Sequence, residues 1–82
     1  MRFKPTREQN KEIADVLRAQ RGIKGLTQYQ AARKAGICRR LYGRFECCER
    51  SFITARFKTV MGVLDALDIN AREFTAKYVE GR

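Results

Sequence analysis

The sequence contains no histidine and no tryptophan among its 82 residues. Without an imidazole, the chain cannot form a Ser-His-Asp or Cys-His nucleophile pair, and zinc sites that need histidine are excluded. It also lacks a clustered acidic pair and a glycine-rich phosphate loop. We therefore expect no enzymatic activity, no metal and no cofactor.

Cysteine is scarce, with only Cys38, Cys47 and Cys48. An odd number with two adjacent members is not a disulfide framework, and three thiols without a C-x-x-C spacing do not make a zinc site. We expect reduced thiols that act as small apolar residues. A redox-sensing role for Cys47 or Cys48 is the alternative, because Arg44 and Arg50 nearby would favour a reactive thiolate.

Long hydrophobic runs are missing as well. The longest aliphatic stretch is a few residues around Val60 and Met61, far short of the roughly 20 residues of a membrane span. Residues 1–5 lack the apolar stretch of a secretory signal. A hydrophobic share of 44% with a mean hydropathy of −0.52 fits a single soluble domain over residues 1–82, which we expect to be cytoplasmic.

Acidic residues are half as frequent as basic ones, with nine Asp and Glu against 18 Lys and Arg and a formal net charge of +9. The charge is uneven: residues 1–32 carry +4, residues 33–59 carry +6 and residues 60–82 carry −1. Like charges gathered in one region repel each other unless a polyanion is bound. The distribution therefore points to a nucleic-acid partner.

Capping patterns predict where the first helices begin and end. The T-x-x-Q boxes at Thr6 and Thr27 predict helices that start at Arg7 and Gln28. The residues predicted to end these helices are glycines: Gly22 and Gly25 for the first, and Gly36, directly after Ala35, for the second.

Three more helices follow in the remaining sequence. A third is predicted from Arg39 to Cys47, a fourth has Thr54 as its cap, and a final one opens at Asn70 within residues 70–82. The fourth carries an apolar stripe interpreted as core: Phe57, Val60, Met61, Leu64 and Leu67. No segment alternates polar and apolar residues as a strand would, so the predicted fold class is all-α with five helices.

Two short helices around a glycine-bearing turn, the second rich in arginine, predict a helix-turn-helix over residues 27–47. The residues that carry a family resemblance are Leu26-Thr27-Gln28-x-x-x-Ala32-x-x-x-Gly36-Ile37 and then Arg44-Phe45-Glu46, with Leu67-Asp68-Ile69-Asn70 and Phe74 further on. This pattern resembles the lambda-repressor and Cro-like family of bacterial and phage DNA-binding domains. The resemblance covers roughly residues 13–75 and implies a compact five-helix DNA-binding domain.

The third helix has two chemically different faces. Tyr42 and Phe45, three residues apart, are expected to point inward. The residues left on the opposite face, which the resemblance implies are the base readers, are Arg39, Arg40, Gly43 and Arg44. Arginine suits this role because its planar fork can bond guanine O6 and N7 together. The residues expected at phosphates are Thr27 and Gln28 at the start of helix 2, with Arg50 and Arg56 further along the chain.

Five residues are interpreted as scaffold. Ala32 is small where two helices cross, Gly36 takes a positive φ in the turn, and Ile37 fills the space between helices. Arg21 and Glu46 match the Arg–Glu pair that, in the family, ties helix 1 to the end of helix 3.

Some positions depart from the family pattern. Ala31 and Ala35 stand where larger aliphatics are usual, so the core is either tighter or filled by aromatics, namely Tyr42, Phe45 and Phe57. Cys38 replaces the usual Ser or Thr at the N-cap of helix 3, and the lost capping hydrogen bond costs about 1 kcal/mol of stability. Gly43 costs about 1 kcal/mol in a helix and reflects either close approach of DNA or plain tolerance. Residues 47–53 form either an extended third helix or a larger loop.

The predicted function is sequence-specific binding of double-stranded DNA, as a small transcriptional regulator of the phage or mobile-element type. Homodimers reading half-sites are typical of the family, and Phe74 and Tyr78 either form a homodimer seam or cap a monomer core. Residues 1–5 are a candidate minor-groove arm. The alternative function is a protein-interaction module, an antitoxin-like partner whose apolar C-terminal helix carries the main function.

Overall fold

The chain folds into a bundle of helices joined by short loops. The computed structural model describes the backbone of residues 6–80 and the side chains of residues 6–78, so the arm proposed for residues 1–5 lies outside the described residues. The helices are α1 (Arg7–Lys24), α2 (Gln28–Ala35), α3 (Arg39–Glu46), α4 (Phe57–Ala66) and α5 (Ala71–Thr75), which continues as a π-helical turn (Ala76–Glu80). No strand occurs between residues 6 and 80, which confirms the all-α prediction with five helices.

The predicted caps of α1 and α2 are present as hydrogen-bonded boxes. The Thr6 hydroxyl accepts from the Gln9 backbone N–H at 3.0 Å, and the Gln9 side chain accepts from the Thr6 N–H at 2.9 Å. Thr27 and Gln30 repeat this arrangement at 3.1 and 2.9 Å. Each box satisfies two N–H groups that a helix start would otherwise leave unpaired. Both helices begin where the sequence predicts.

Glycines end α1 and α2, with one correction. Gly25 and Gly36 take left-handed conformations, with φ of 70° and 77°, and close their helices. Gly22 was expected to help end helix 1, and this is wrong: α1 continues through Gly22 to Lys24. A single left-handed residue is sufficient to stop a helix, and Gly25 supplies it.

The start of α4 differs from the prediction in two ways. Thr54 is not the cap; its hydroxyl donates to the Ser51 carbonyl at 3.3 Å, and α4 begins at Phe57 with Arg56 at the N-cap. Phe57 is 79% exposed, so its assignment to the core is wrong. The buried stripe starts one turn later, at Val60.

Helix α3 ends at Glu46, and residues 47–56 form a loop. Of the two alternatives for residues 47–53, the structure has the larger loop. The loop is held by Phe52, which is 2% exposed. Its ring meets those of Phe45 and Phe74 edge-on, with centroids 5.2 and 5.9 Å apart. Phe52 is therefore part of the core, whereas Phe57 is not.

Helix α2 packs directly against α4, and small residues make this contact. Ala31 and Ala32 are buried, and Ala35 is half-buried against the core. A Cβ atom at Gly62 would lie 2.6 Å from the Ala35 carbonyl oxygen, too close for any side chain. The core is thus tight at this crossing, and of the three aromatic residues expected to fill it, Tyr42 and Phe45 are buried while Phe57 is not.

Phe74 of α5 and Tyr78 of the π-helical turn complete the core at the C-terminal end of the chain. Each is 4% exposed, and their ring centroids are 4.9 Å apart. They cap the core of a single chain, so neither is free to form a seam between copies. The Cα radius of gyration of 11.7 Å is that of a compact chain of this length. Over the described residues, no helix combines the length and the apolar character needed to cross a membrane.

Candidate nucleic-acid interface

Helix α3 is buried on one side and basic on the other. Tyr42 and Phe45 are almost completely buried, as predicted. The exposed side carries what we name the arginine face: Arg39, Arg40 and Arg44. At about 100° per residue, these three spread over roughly 140° of the helix circumference. The helix therefore presents three guanidinium groups to solvent while its other side is fixed in the core.

The end of α3 is fixed by Glu46, a carboxylate that is only 2% exposed. Arg21 of α1 donates to it twice, from Nε to Oε2 at 2.7 Å and from Nη2 to Oε1 at 3.1 Å. The Gln28 amide of α2 donates to Oε1 at 3.0 Å. The Glu46 side chain thus joins three helices, and it sets the orientation of α3 relative to α1 and α2.

The electrostatics of this cluster follow from burial and hydrogen bonding. Burial acts to raise the pKa of Glu46, but Arg21, the nearby Tyr42 hydroxyl and the Gln28 amide together outweigh it, and the pKa lies below its ordinary value. The hydrogen bond to Glu46 raises the pKa of Arg21. Both groups are therefore charged throughout the neutral range, and each neutralises the other.

The Tyr42 hydroxyl ends close to this pair. Burial raises the pKa of Tyr42, and the Glu46 carboxylate raises it further. The phenol is therefore neutral at physiological pH. The oxygen makes no well-aligned hydrogen bond with the described residues, so the ring contributes mainly apolar packing beneath the arginine face.

The turn between α2 and α3 is three residues long and is hydrogen-bonded to the end of α2. The Gly36 N–H donates to the carbonyls of Ala32 and Arg33, and the Ile37 N–H donates to Ala32 at 3.0 Å. Ile37 packs on the core while Cys38, the N-cap of α3, makes no side-chain cap hydrogen bond. We call residues 27–46 the α2–α3 unit.

The residues expected at phosphates lie in two places. Thr27 and Gln28 sit together at the start of α2, and Arg50 and Arg56 are exposed in the loop after α3. The Gln28 amide is already bound to Glu46, so this side chain is half-buried scaffold as well as a candidate contact. The Thr27 oxygen accepts its cap hydrogen bond, which leaves the hydroxyl proton available to a phosphate.

Gly43 lies between Arg39 and Arg40 on the helix wheel but is half-buried. A Cβ atom there would lie 3.5 Å from the Gln28 side-chain oxygen, an ordinary contact distance. Internal packing therefore does not require glycine at this position.

Sequence reasoning missed two arginines with specific contacts. Arg18 donates from Nη2 to the Glu46 backbone carbonyl at 2.6 Å, a second link from α1 to the end of α3. Its position one turn before Arg21 is the signal that could have shown it. Arg33 donates to the Tyr29 hydroxyl at 3.1 Å and lies 5.8 Å from the ring centre, an i,i+4 pair on the exposed side of α2.

The three cysteines are free, which agrees with the expectation of reduced thiols, and all three are exposed. Cys47 and Cys48 lie just beyond the end of α3, where the chain leaves the core. The Cys48 backbone is left-handed, with a φ of 67°, so the chain turns away from the axis of α3 at this residue. In the part of the chain that the structure describes, no group of three or more potential metal ligands comes together.

Comparisons of this chain with protein-family models, with curated proteins and with solved structures gave no match.

Proposed function

We propose that this chain is a sequence-specific DNA-binding protein whose α2–α3 unit is a helix-turn-helix of the lambda-repressor and Cro type. Helix α3 would enter the major groove of double-stranded DNA. The protein would act as a small transcriptional regulator of the phage or mobile-element type. The observation that carries the proposal is the arginine face, three exposed guanidinium groups on a helix whose opposite side and C-terminal end are fixed.

Charge and placement support this proposal over a merely solvated surface. Residues 33–59, which contain α3, carry a net charge of +6, and the chain carries +9. Arg50 and Arg56 follow α3, while Thr27 and Gln28 begin α2, so candidate phosphate contacts flank the arginine face along the chain. Phosphate contacts would position the protein, and the arginine face would read the bases.

The alternative of a protein-interaction module loses its main argument. It relied on an apolar C-terminal helix, but Phe74 and Tyr78 are buried within the chain. A homodimer remains part of the proposal, since two-fold proteins read two half-sites one helical turn apart. Light scattering of the free protein and of its DNA complex would count the copies bound.

Fluorescence anisotropy with labelled duplexes tests the function. A duplex selected from a random pool should bind with nanomolar affinity, and log K should fall linearly with log salt. Arg40→Ala and Arg44→Ala should each reduce the preference for the selected duplex over a random one by about tenfold or more. Arg72→Ala removes the same charge from α5 and should keep that preference.

Two results would contradict the proposal in different ways. Absence of duplex binding even at about 50 mM salt would contradict the proposed DNA-binding function itself. Binding with full discrimination by Arg40→Ala and Arg44→Ala would retain DNA binding but exclude α3 as the element that reads sequence.

A further inference from the structure

The exposed side of α3 offers hydrogen-bond donors and no acceptors. Arg39, Arg40 and Arg44 supply guanidinium groups, and Gly43 supplies no side chain. The helix's single carboxylate, Glu46, is buried and bound to Arg21 and Gln28. No asparagine or glutamine lies within α3. The face is therefore chemically uniform.

Base pairs differ in what they present to such a face. In the major groove, guanine offers two acceptors, O6 and N7, spaced to receive both N–H groups of an arginine fork. Adenine presents an N6 donor beside its N7 acceptor, and cytosine presents its N4 donor. An arginine fork would therefore direct at least one N–H group at an N–H group of either base. Thymine offers one acceptor, O4, beside its methyl group, so it can receive a single hydrogen bond but not both N–H groups of the arginine fork. A donor-only face therefore matches guanine best.

We propose that the DNA site of this protein is defined by guanines, two or three within about four consecutive base pairs on either strand. This inference rests on the proposed function. Arg44 comes five positions after Arg39, an advance of about 7.5 Å along the helix. That distance equals about two base-pair steps of 3.4 Å, so the three side chains can reach adjacent or next-adjacent base pairs.

The arginines are free to make these contacts. Among the described residues, neither Arg39 nor Arg40 forms an ion pair. Arg44 lies 3.8 Å from the Glu49 carboxylate, but both groups are exposed, and such surface pairs contribute little. DNA binding would therefore displace no strong internal partner, and the helix backbone fixes the spacing of the three Cα atoms.

Modified bases test the inference on the unaltered protein. A preferred duplex is first selected from a random pool, and each guanine in it is then replaced in turn by 7-deazaguanine, which lacks the N7 acceptor. At the contacted guanines we expect the dissociation constant to rise about 5- to 100-fold. Inosine is the matched control, because it keeps O6 and N7 and loses only the minor-groove amino group. It should change the constant less than about twofold.

Single substitutions then assign each guanine to a side chain. In Arg39→Ala, Arg40→Ala and Arg44→Ala, the 7-deazaguanine penalty at one position should disappear, while Arg72→Ala should retain every penalty. These side chains are exposed, so the variants should fold, which their melting curves would verify.

The outcomes separate this inference from the function beneath it. Selected sites made of A·T pairs without guanine, or 7-deazaguanine duplexes that bind unchanged, would overturn the guanine assignment while DNA binding stands. A protein that retains no duplex in the selection would overturn the proposed function itself. Guanine-containing sites with N7-dependent, inosine-tolerant binding support both.

Discussion

Arg21 and Glu46 form a two-point ion pair across 25 residues of sequence, with donor–acceptor distances of 2.7 and 3.1 Å. The carboxylate is buried, and the guanidinium also donates to the Leu26 carbonyl at 2.9 Å. One side chain of α1 therefore holds both the chain entering α2 and the end of α3. This contact therefore links α3, which carries the arginine face, to α1 and to the chain entering α2.

Removing one partner of this pair should be costly. Arg21→Met leaves the Glu46 carboxylate buried with reduced compensation, and we expect a loss of about 2–4 kcal/mol in the free energy of unfolding. The double variant Arg21→Met/Glu46→Met should be less destabilised than the sum of the single variants. Urea denaturation of all four proteins measures the coupling. Additive losses would show that the pair contributes nothing as a pair.

The pair also predicts a pH dependence of stability. The pKa of Glu46 is lowered from its ordinary value of 4.5, so the folded state binds the proton less readily than the unfolded state. The stabilisation is complete above about pH 4.5 and is lost as the pH falls through the lowered pKa. Melting temperatures between pH 6 and pH 2.5 should show this loss.

Two variants isolate the contribution of Glu46 to that curve. Glu46→Gln should be less stable at pH 6 and should approach the wild type at the acidic end. Asp68, whose pKa is lowered by its ion pair with Lys24, also titrates in the acid range. Asp68→Asn should retain most of the acid-dependent loss, since that pair is exposed. Parallel curves for wild type and Glu46→Gln would contradict the assignment.

Two glycines in helices should respond oppositely to alanine. Gly62→Ala places a Cβ 2.6 Å from the Ala35 carbonyl, so α2 and α4 must separate, and we expect a loss of about 1–3 kcal/mol. Gly22→Ala meets nothing within 4 Å and should gain about 0.5–1 kcal/mol from helix propensity. Thermal denaturation compares them. Stabilisation of both would mean that the α2–α4 contact is looser than described.

The phenylalanines around the loop should differ sharply in their effect on stability. Phe52→Ala removes a buried ring that contacts Phe45 and Phe74, and it should cost about 3–5 kcal/mol. Phe57→Ala should change the free energy of unfolding by less than about 0.5 kcal/mol, since the ring is exposed. Urea denaturation distinguishes the two. Equal losses would place Phe57 in the core after all.

Local signals predicted α1 to α3 well, because capping boxes at Thr6 and Thr27 and a left-handed glycine at Gly36 act within a few residues. The inward direction of Tyr42 and Phe45 followed from helical spacing. Phe52 and Phe57 were interpreted less well. Phe52 lies in a loop without any period, and Phe57 fits the stripe of α4 but precedes the part that packs.

The candidate site was predictable in part for the same reason. The exposed positions on α3 follow from the helical period, whereas the double contact of Arg18 and Arg21 with Glu46 depends on how α1 crosses α3. A long-range crossing is set by the whole core. No local pattern around Gly62 indicates that the Ala35 backbone lies against it.

The contacts of Glu46 limit how far the α2–α3 unit can be moved into another protein. Each of its helices has eight residues, too few to remain helical alone in water. Its geometry depends on contacts with the rest of the chain. Arg18 and Arg21 of α1 bind Glu46, and Gly62 of α4 lies against the backbone of Ala35. A graft of residues 27–46 onto a foreign scaffold would therefore need transplanted copies of those flanking groups before it could keep its shape.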